Sequence, residues 1–572
     1  MSTRIVVDPI SRIEGQLRIE AVLDNSNTIT AAYSAGTMFR GIETILRGRD
    51  PRDAGLLAMR ICGVCTGVHY WTSAQAVENA FGVHVTKNAR LVRNLIKGSL
   101  FVHDHPVHFY QLHALDFVDI VSALSANPKK AVDAAYAYTK QPYNASLATY
   151  QAVQQKLTNF VKAGSLGIFG NGYWGNPSYL LTPEENLVAV SHYLDTLAIQ
   201  RTAAKMMAVL GGKNPHPQSI VVGGVTCVED IQNPARLAQF GQYLTEVTQF
   251  VRGAYLPDLL MAGKAYAKEA LAGAGAGLRT YLCYGDFPLT DTPSGATLFG
   301  GGMVVGGDLS KVYPFDHANV REDVTHSWYQ GNAALHPYQG ETVPDYTGLD
   351  KRGGIAYLKT DEKYSWLKSP THNDHRVEMG PLARAIVGYA AGNATIRRHV
   401  DALLKAGGFP AKVLFSTIGR TAARCIETLI IADAMAGWLD ELQRNTAAGD
   451  LDTWTSFDFD SVSKDTEGYG LSEVPRGSLA HWVRVKDGRI DNYQVIAPTT
   501  WNASPRDGKG RPGAYEAALV GVKLAKPDEP LEILRTIHSF DPCLACAVHL
   551  VDARGHEIGT YEVVPSGGIS QP

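Results

Sequence analysis

Two short stretches near opposite ends of the chain carry the same spacing of cysteines. "RICGVCTGVH" (60–69) contains Cys62 and Cys65, and "DPCLACAVH" (541–549) contains Cys543 and Cys546. If the four thiols serve one site, the fold must bring its two ends together, and a string of independent domains is excluded. As thiolates they form a soft, roughly tetrahedral donor set that suits zinc, an iron-sulfur cluster or nickel. Spacing alone does not choose among these. A structural zinc is the ordinary reading of paired CxxC motifs, but zinc ribbons keep their pairs about 15–20 residues apart. Here Cys65 and Cys543 are 478 positions apart. A dithiol redox site is a second reading, and neither pair has the short βαβ context it needs. The total of seven cysteines is odd and argues against a disulfide framework, so Cys227, Cys283 and Cys425 read as small buried apolar residues.

With 572 residues, 45% hydrophobic, the chain can bury a core large enough for two or more domains or one unusually large one. A formal net charge of -3 with scattered basic residues gives no reason to expect a nucleic acid partner. The start, "MSTRIVVDPISRIEG", lacks the parts of a secretory signal, and no later stretch offers the roughly 20 apolar residues of a membrane span. The expectation is a chain that neither exports nor anchors itself.

Patterning predicts an α+β protein, mainly helical, with a long-helix bundle and peripheral β-hairpins. "LRIEAVL" (17–23) and "TITAAYS" (28–34) alternate around a turn, and a helix is expected over Met38 to Leu46. The helical stripe after Asn88 contains Pro106, which predicts a kink or break around His105. Thr182, Pro183 and Glu185 form a capping box, with Gly211 expected just past the end of the helix they open. Asn233 and Pro234 open another helix, and 419–443 is a third long apolar stripe. From about 278 to 375 helical periodicity gives way to short strands and loops, and Asp487 and Gly488 turn a late hairpin.

The flanks of the two cysteine pairs resemble the signatures of the nickel-iron hydrogenase large subunit. The resemblance extends through "SRIEG", "GTMFRGIE", "HDHPVHFYQLHALDFVD", "GIFGNGYWG", "VPRG" and "IHSFDPC", from about residue 4 to the end of the chain. It implies that family's fold and reversible heterolytic oxidation of hydrogen to protons and electrons. It also implies that Cys62 and Cys543 are terminal nickel ligands, while Cys65 and Cys546 bridge nickel to an iron carrying carbon monoxide and cyanide. Cys543 is then the base that takes the proton, and Glu14 the proton-transfer glutamate; burial can raise a carboxyl group toward neutrality. As an isolated triplet, Arg-Ile-Glu would read as an exposed strand end.

By the same resemblance Arg476, flanked by Pro475, overhangs the open metal position with Asp104 and Asp541 as its carboxylate partners. Taken singly, each of these would read as a surface salt bridge. Thr499 stands where the family often has a serine that donates to cyanide, and His69 matches the donor to the bridging sulfur of Cys65. Glu43, the backbone carbonyl of Val495 and His549 correspond to the ligands of a further metal, usually magnesium. Val64 and Leu112 match residues lining a gas channel, although apolar side chains there would be ordinary packing in any protein.

The resemblance further divides the chain into a catalytic domain, 1–549, and a C-terminal extension, 550–572, that a maturation endopeptidase removes after nickel-insertion proteins have acted. The implied partners are an iron-sulfur small subunit, which carries the export signal for both chains, and a membrane cytochrome or quinone-linked subunit. The expected location is the periplasmic side of the membrane, with the cytoplasm as the alternative. Rival readings are the quinone-binding subunit of respiratory complex I, disfavoured by the retention of all four cysteines, a hydrogen sensor, and a zinc-stabilised structural protein.

Overall fold

The N-terminal strands Thr3–Val7, Leu17–Leu23 and Ile29–Gly36 form an antiparallel meander in chain order. Its outer edge is continued by residues from the far end of the sequence: Ile29 N–H donates to Val522 O at 2.9 Å, and Leu524 N–H to Asn27 O at 2.9 Å. Ile10, Leu17 and Ile19 pack in one buried cluster with Leu519, Ile533, Ile537, Phe540 and Leu544. Hydrophobic burial therefore fastens the N-terminal strands to the segment that carries Cys543 and Cys546, the condition that one four-cysteine site requires. The computed structural model describes residues 3–547 apart from Ser165, Asn171, Pro293, Ser294 and Gly353. His549 and the expected extension lie outside the described residues.

Four long helices form the centre. Lys87–Val107 packs against Pro183–Gly211 on one side and Thr417–Ala447 on another, and Pro234–Phe250 closes the bundle against the last two. Lys87–Val107 is buried nearly all round, as the central member of such a bundle must be. Two starts are capped as the sequence predicts, at Thr182 and Asn233, and a third is capped by Ser416, just ahead of the expected stripe. Thr182 and Glu185 form the reciprocal capping box, Asn233 accepts from Ala235 and Arg236, and Ser416 accepts from Gly419. The structure moves three expected boundaries. Gly211 is the last helical residue and Gly212, at φ 77°, is the cap. Pro106 does not break its helix, which runs through it to Val107 and passes directly into a π-helical turn, His108–His113. A wider turn next to a residue lacking N–H is a way to absorb the missing bond. The helix expected from Met38 is only Ile42–Leu46, because Gly41 at φ 70° starts it and Arg40 is drawn away to backbone carbonyls.

Between 281 and 372 the chain makes short strands, among them Tyr281–Cys283, Gly302–Val304, Val320–Asp323 and Ser369–His372. The late hairpin, Gly477–Lys486 with Arg489–Ile496, gains a third strand, Thr466–Val474, that the sequence reading did not anticipate. Asp487 and Gly488 both have positive φ, 51° and 72°, as the tight turn demands. No described helix is long and apolar enough to cross a membrane.

Candidate metal centre

The first cysteine pair sits where a 3-10 turn, Met59–Ile61, gives way to extended backbone at Cys62. The turn is held by Cys65 N–H, which donates to Cys62 Sγ at 3.3 Å. Gly67 then starts the helix Val68–Phe81 from φ 80°, in a place where a Cβ would lie 2.7 Å from Pro217 Cγ, so that only glycine fits. The second pair follows the helix Leu531–His538, and Asp541 at φ 59° turns the chain so that Cys543 enters the interior.

All four sulfurs are buried and lie within 4.8 Å of one another, the one such group of potential metal ligands among the described residues. Cys65 Sγ and Cys546 Sγ are 2.8 Å apart, as are Cys543 Sγ and Cys546 Sγ, while Cys62 Sγ lies 3.4 Å from Cys543 Sγ. None of these is a disulfide, which needs about 2.05 Å. Burial pushes the Cys65 thiol up to about 11 and raises Cys543 and Cys546 as well, whereas hydrogen bonds from Cys543, Cys546 and Cys65 hold Cys62 below the usual thiol range. Four thiolates cannot all be charged in a dry interior without a cation among them. Four convergent soft donors with no disulfide therefore fit a thiophilic metal.

Arg40 clamps the two ends. Its guanidinium donates to Ile61 O, just before Cys62, and to Ala545 O at 3.0 Å, just before Cys546. Glu14 also meets this segment. Its backbone pairs with the C-terminal segment, Leu544 N–H donating to Glu14 O at 2.8 Å, and its Oε2 accepts from Ala545 N–H at 2.8 Å and from the Cys543 thiol at 3.2 Å. Burial, with Cys62 nearby, raises its carboxyl above the ordinary range. Gly15 makes this approach possible: at φ 82°, an added Cβ would lie 2.7 Å from Leu544 Cβ.

Arg476 is 4% exposed and lies between two buried carboxylates, Nη1 to Asp104 Oδ2 at 3.0 Å and Nη2 to Asp541 Oδ1 at 3.0 Å. Behind it Arg384 donates to the carbonyls of Val474 and Pro475 and is paired with Glu427 and Glu473, both at 2.6 Å. Thr499 Oγ1 accepts from Cys543 N–H at 3.1 Å, which leaves its hydroxyl proton to be donated elsewhere. His69 Nδ1 lies 3.0 Å from His481 Nε2, and His481 Nδ1 is 2.6 Å from the Tyr493 hydroxyl. Glu43 is buried, accepting from Val495 N–H at 2.8 Å and from the Thr342 hydroxyl. Close to this group Lys368 pairs with Glu322 at 3.3 Å, and burial pushes the Glu322 carboxyl up to about 7. Val64 is 42% exposed, on the surface of this chain rather than in its packing. Leu112 is half-buried, and its carbonyl accepts from Arg12 at 2.7 Å.

A family model described as nickel-dependent hydrogenase matches residues 40–549, and one described as HoxL-like matches residues 4–35. The chain belongs to the nickel-dependent hydrogenase family. It is similar to the quinone-reactive Ni/Fe-hydrogenase large chain of Wolinella succinogenes, 46% identical over 99% of both chains. The hydrogenase-1 large chain of Escherichia coli K12 is 43% identical over 98% of this chain and 97% of that one. Among solved structures, the Ni-Fe-Se hydrogenase from D. vulgaris Hildenborough in the reduced state superposes with a TM-score of 0.77 at 34% identity, covering 96% of this chain and 100% of that chain. The expected fold class and the expected enzyme class, an oxidoreductase acting on hydrogen, both stand. The chain is a hydrogenase large subunit of a nickel-dependent family, and its four buried cysteines are a donor set that fits a thiophilic metal.

Sequence reasoning left several residues without a role. Arg40, Asp116 and His538 lie inside the quoted motifs, but nothing in a motif says which carbonyl or carboxylate a side chain will meet. Arg384, Glu427 and His481 lie outside every quoted stretch.

Proposed function

We propose that this chain splits hydrogen heterolytically at a nickel-iron centre held by its four cysteines, with Cys62 and Cys543 as terminal nickel ligands and Cys65 and Cys546 bridging to iron. The iron would carry carbon monoxide and cyanide. The observation that carries the reading is the convergence of four buried sulfurs from both ends of the chain, with a carboxyl oxygen 3.2 Å from one of them. When bound, the bimetallic centre supplies the Lewis acidity and the two-electron redox chemistry. Cys543 Sγ holds the proton first. Glu14 Oε2 then receives it, over a distance that is already a hydrogen bond, and burial tunes this carboxyl upward for the task. Arg476 presents fixed positive charge over the site, and its two carboxylates make that charge tolerable in the interior. Thr499 fixes the backbone of Cys543 and keeps a hydroxyl proton for an iron-bound cyanide; His69 is the donor toward the Cys65 sulfur.

Electrons need another carrier, since the remaining cysteines, Cys227, Cys283 and Cys425, are isolated from one another in sequence and buried. An iron-sulfur small subunit would supply it, passing electrons to a membrane cytochrome or quinone-linked subunit on the periplasmic side; the Wolinella relative is named quinone-reactive, which supports the quinone link. Glu43, the Val495 carbonyl and His549 would hold magnesium, a hard cation suited to carboxylate and carbonyl oxygen. The assignment of 550–572 as an extension cut off after nickel insertion rests on the family resemblance.

The test is metal analysis with infrared spectroscopy on the purified heterodimer. Nickel and iron in equal amounts, with carbonyl and cyanide bands, is the expected result. Zinc alone at the four cysteines would end the hydrogen chemistry. Intact-mass measurement of active enzyme should place the mature terminus at His549.

A further inference from the structure

Asp116 is fully buried and touches no sulfur, yet it contacts both segments that meet at Glu14 and Cys543. Its Oδ1 pairs with Arg12 Nη2 at 2.5 Å, and its Oδ2 accepts from His538 Nδ1 at 2.6 Å. The other ring nitrogen of His538, Nε2, donates to Ser11 O at 2.8 Å. Both contacts therefore lead to the turn just before Glu14. One of them also begins on the last residue of the helix Leu531–His538, the helix from which the Cys543 segment departs. The main chain adds to the tie: Arg535, on the same helix, donates to Asp116 O from Nε at 3.0 Å and from Nη2 at 2.9 Å. Arg12 itself has φ 54°, a left-handed conformation that is unfavourable for a non-glycine residue. Such a conformation persists where surrounding contacts over-determine it. Asp116 and the Leu112 carbonyl, at 2.7 Å, are those contacts.

We propose that Asp116 is a positioning residue for proton transfer: one buried carboxylate that sets the separation of the Glu14 carboxyl and the Cys543 sulfur by gripping the segment before each. The proposal rests on Glu14 being the proton acceptor. A hydrogen bond of 3.2 Å between a thiol and a carboxylate leaves little slack, and a displacement of about 1 Å at such a distance can cost about 100-fold in rate. In Asp116→Asn, one of the two acceptor oxygens becomes an amide that cannot accept, so either Arg12 or His538 loses its partner. The Glu14 turn should then drift while the four cysteines keep their metals.

The experiment uses the intact heterodimer carrying Asp116→Asn, Glu14→Gln or both. Nickel and iron content and the KM for hydrogen should stay within about twofold of the parent in Asp116→Asn, while kcat falls by about 10- to 100-fold and the solvent isotope effect on hydrogen oxidation rises. The infrared carboxyl band identified by its loss in Glu14→Gln should shift in Asp116→Asn. In the double variant the Asp116 substitution should cost nothing further, because the group it positions is gone. Arg12→Lys, which keeps the charge but cannot reach both Asp116 and Leu112 O, is judged by the same measurements and should fall in the same direction. Unchanged turnover and band position in Asp116→Asn, or metal loss in both Asp116→Asn and Arg12→Lys, overturns the proposal. An equal further loss in the Glu14→Gln background also overturns it while leaving the role of Glu14 intact. Full turnover in Glu14→Gln alone overturns the reading of Glu14 instead.

Discussion

The thiol of Cys543 donates to Glu14 Oε2 at 3.2 Å, joining residues 529 positions apart. Glutamine at position 14 would keep an acceptor for Ala545 N–H but could not take up a proton. Glu14→Gln should retain nickel and iron and lose turnover by about 100-fold or more. Dye reduction under hydrogen, set beside metal analysis of the same sample, measures this. Near-normal turnover would remove Glu14 from the proton path.

Arg476 meets Asp104 and Asp541 through separate nitrogens of one planar group. A lysine ammonium cannot span both, so Arg476→Lys should lose turnover by about 10-fold or more despite its retained charge. Arg476→Ala removes the cation that Asp104 and Asp541 share, leaving Asp104 with only His103 Nδ1 at 2.9 Å, and should destabilise the subunit by about 3–5 kcal/mol. Steady-state rates for the first variant and denaturant midpoints for the second are the measurements. Equal activity of lysine and arginine at this position would make the contact a matter of charge alone.

Gly15 has φ 82° and no room for a Cβ beside Leu544. Gly15→Ala must either push the C-terminal cysteine segment away or distort the Glu14 turn, at a cost of about 1–3 kcal/mol. The expected signature is a lower nickel content per chain together with slower turnover. A fully loaded, fully active variant would mean that the backbone yields more easily than the packing implies.

Glu516 is wholly buried and bonds to no cysteine, accepting from Ser34 N–H at 3.1 Å and from the Tyr364 hydroxyl at 2.9 Å, both at Oε1. Burial pushes its carboxyl up to about 7. A carboxyl that titrates higher in the folded than in the unfolded chain contributes stability that is complete below about pH 4.5 and is lost as pH rises through 7, roughly 3 kcal/mol in all. Glu516→Gln keeps Oε1 as acceptor and removes the titration. The difference in unfolding midpoint between about pH 5 and about pH 8 should therefore be smaller in the variant than in the parent. Parallel pH profiles would show that Glu516 stays charged when folded.

Capping at Thr182, Asn233 and the turn at Asp487 were legible because each is a local bargain between a side chain and a backbone group a few residues away. The outcome at Pro106, a kink or a break, was not legible for the opposite reason. A proline inside a helix is costly in isolation, but the packing on both sides of Lys87–Val107 holds the helix through it, and a π-turn takes up the irregularity. Gly41 shortened the expected helix at 38–46 because Arg40 had a better use in bridging the two cysteine segments.

The sequence by itself determined the donor set, four cysteines in two matched pairs, and with their flanks the family and its chemistry, because ligand type and spacing are written directly in residue order. Only the tertiary structure decided what lies against those sulfurs: that Glu14 meets Cys543, that Asp104 and Asp541 share Arg476, and that Asp116 ties the Glu14 turn to the last helix. Except for Arg476 and Asp541, these partners come from segments hundreds of residues apart. Their meeting is set by the burial of apolar surface between the N-terminal sheet and the C-terminal helix, which no local pattern records.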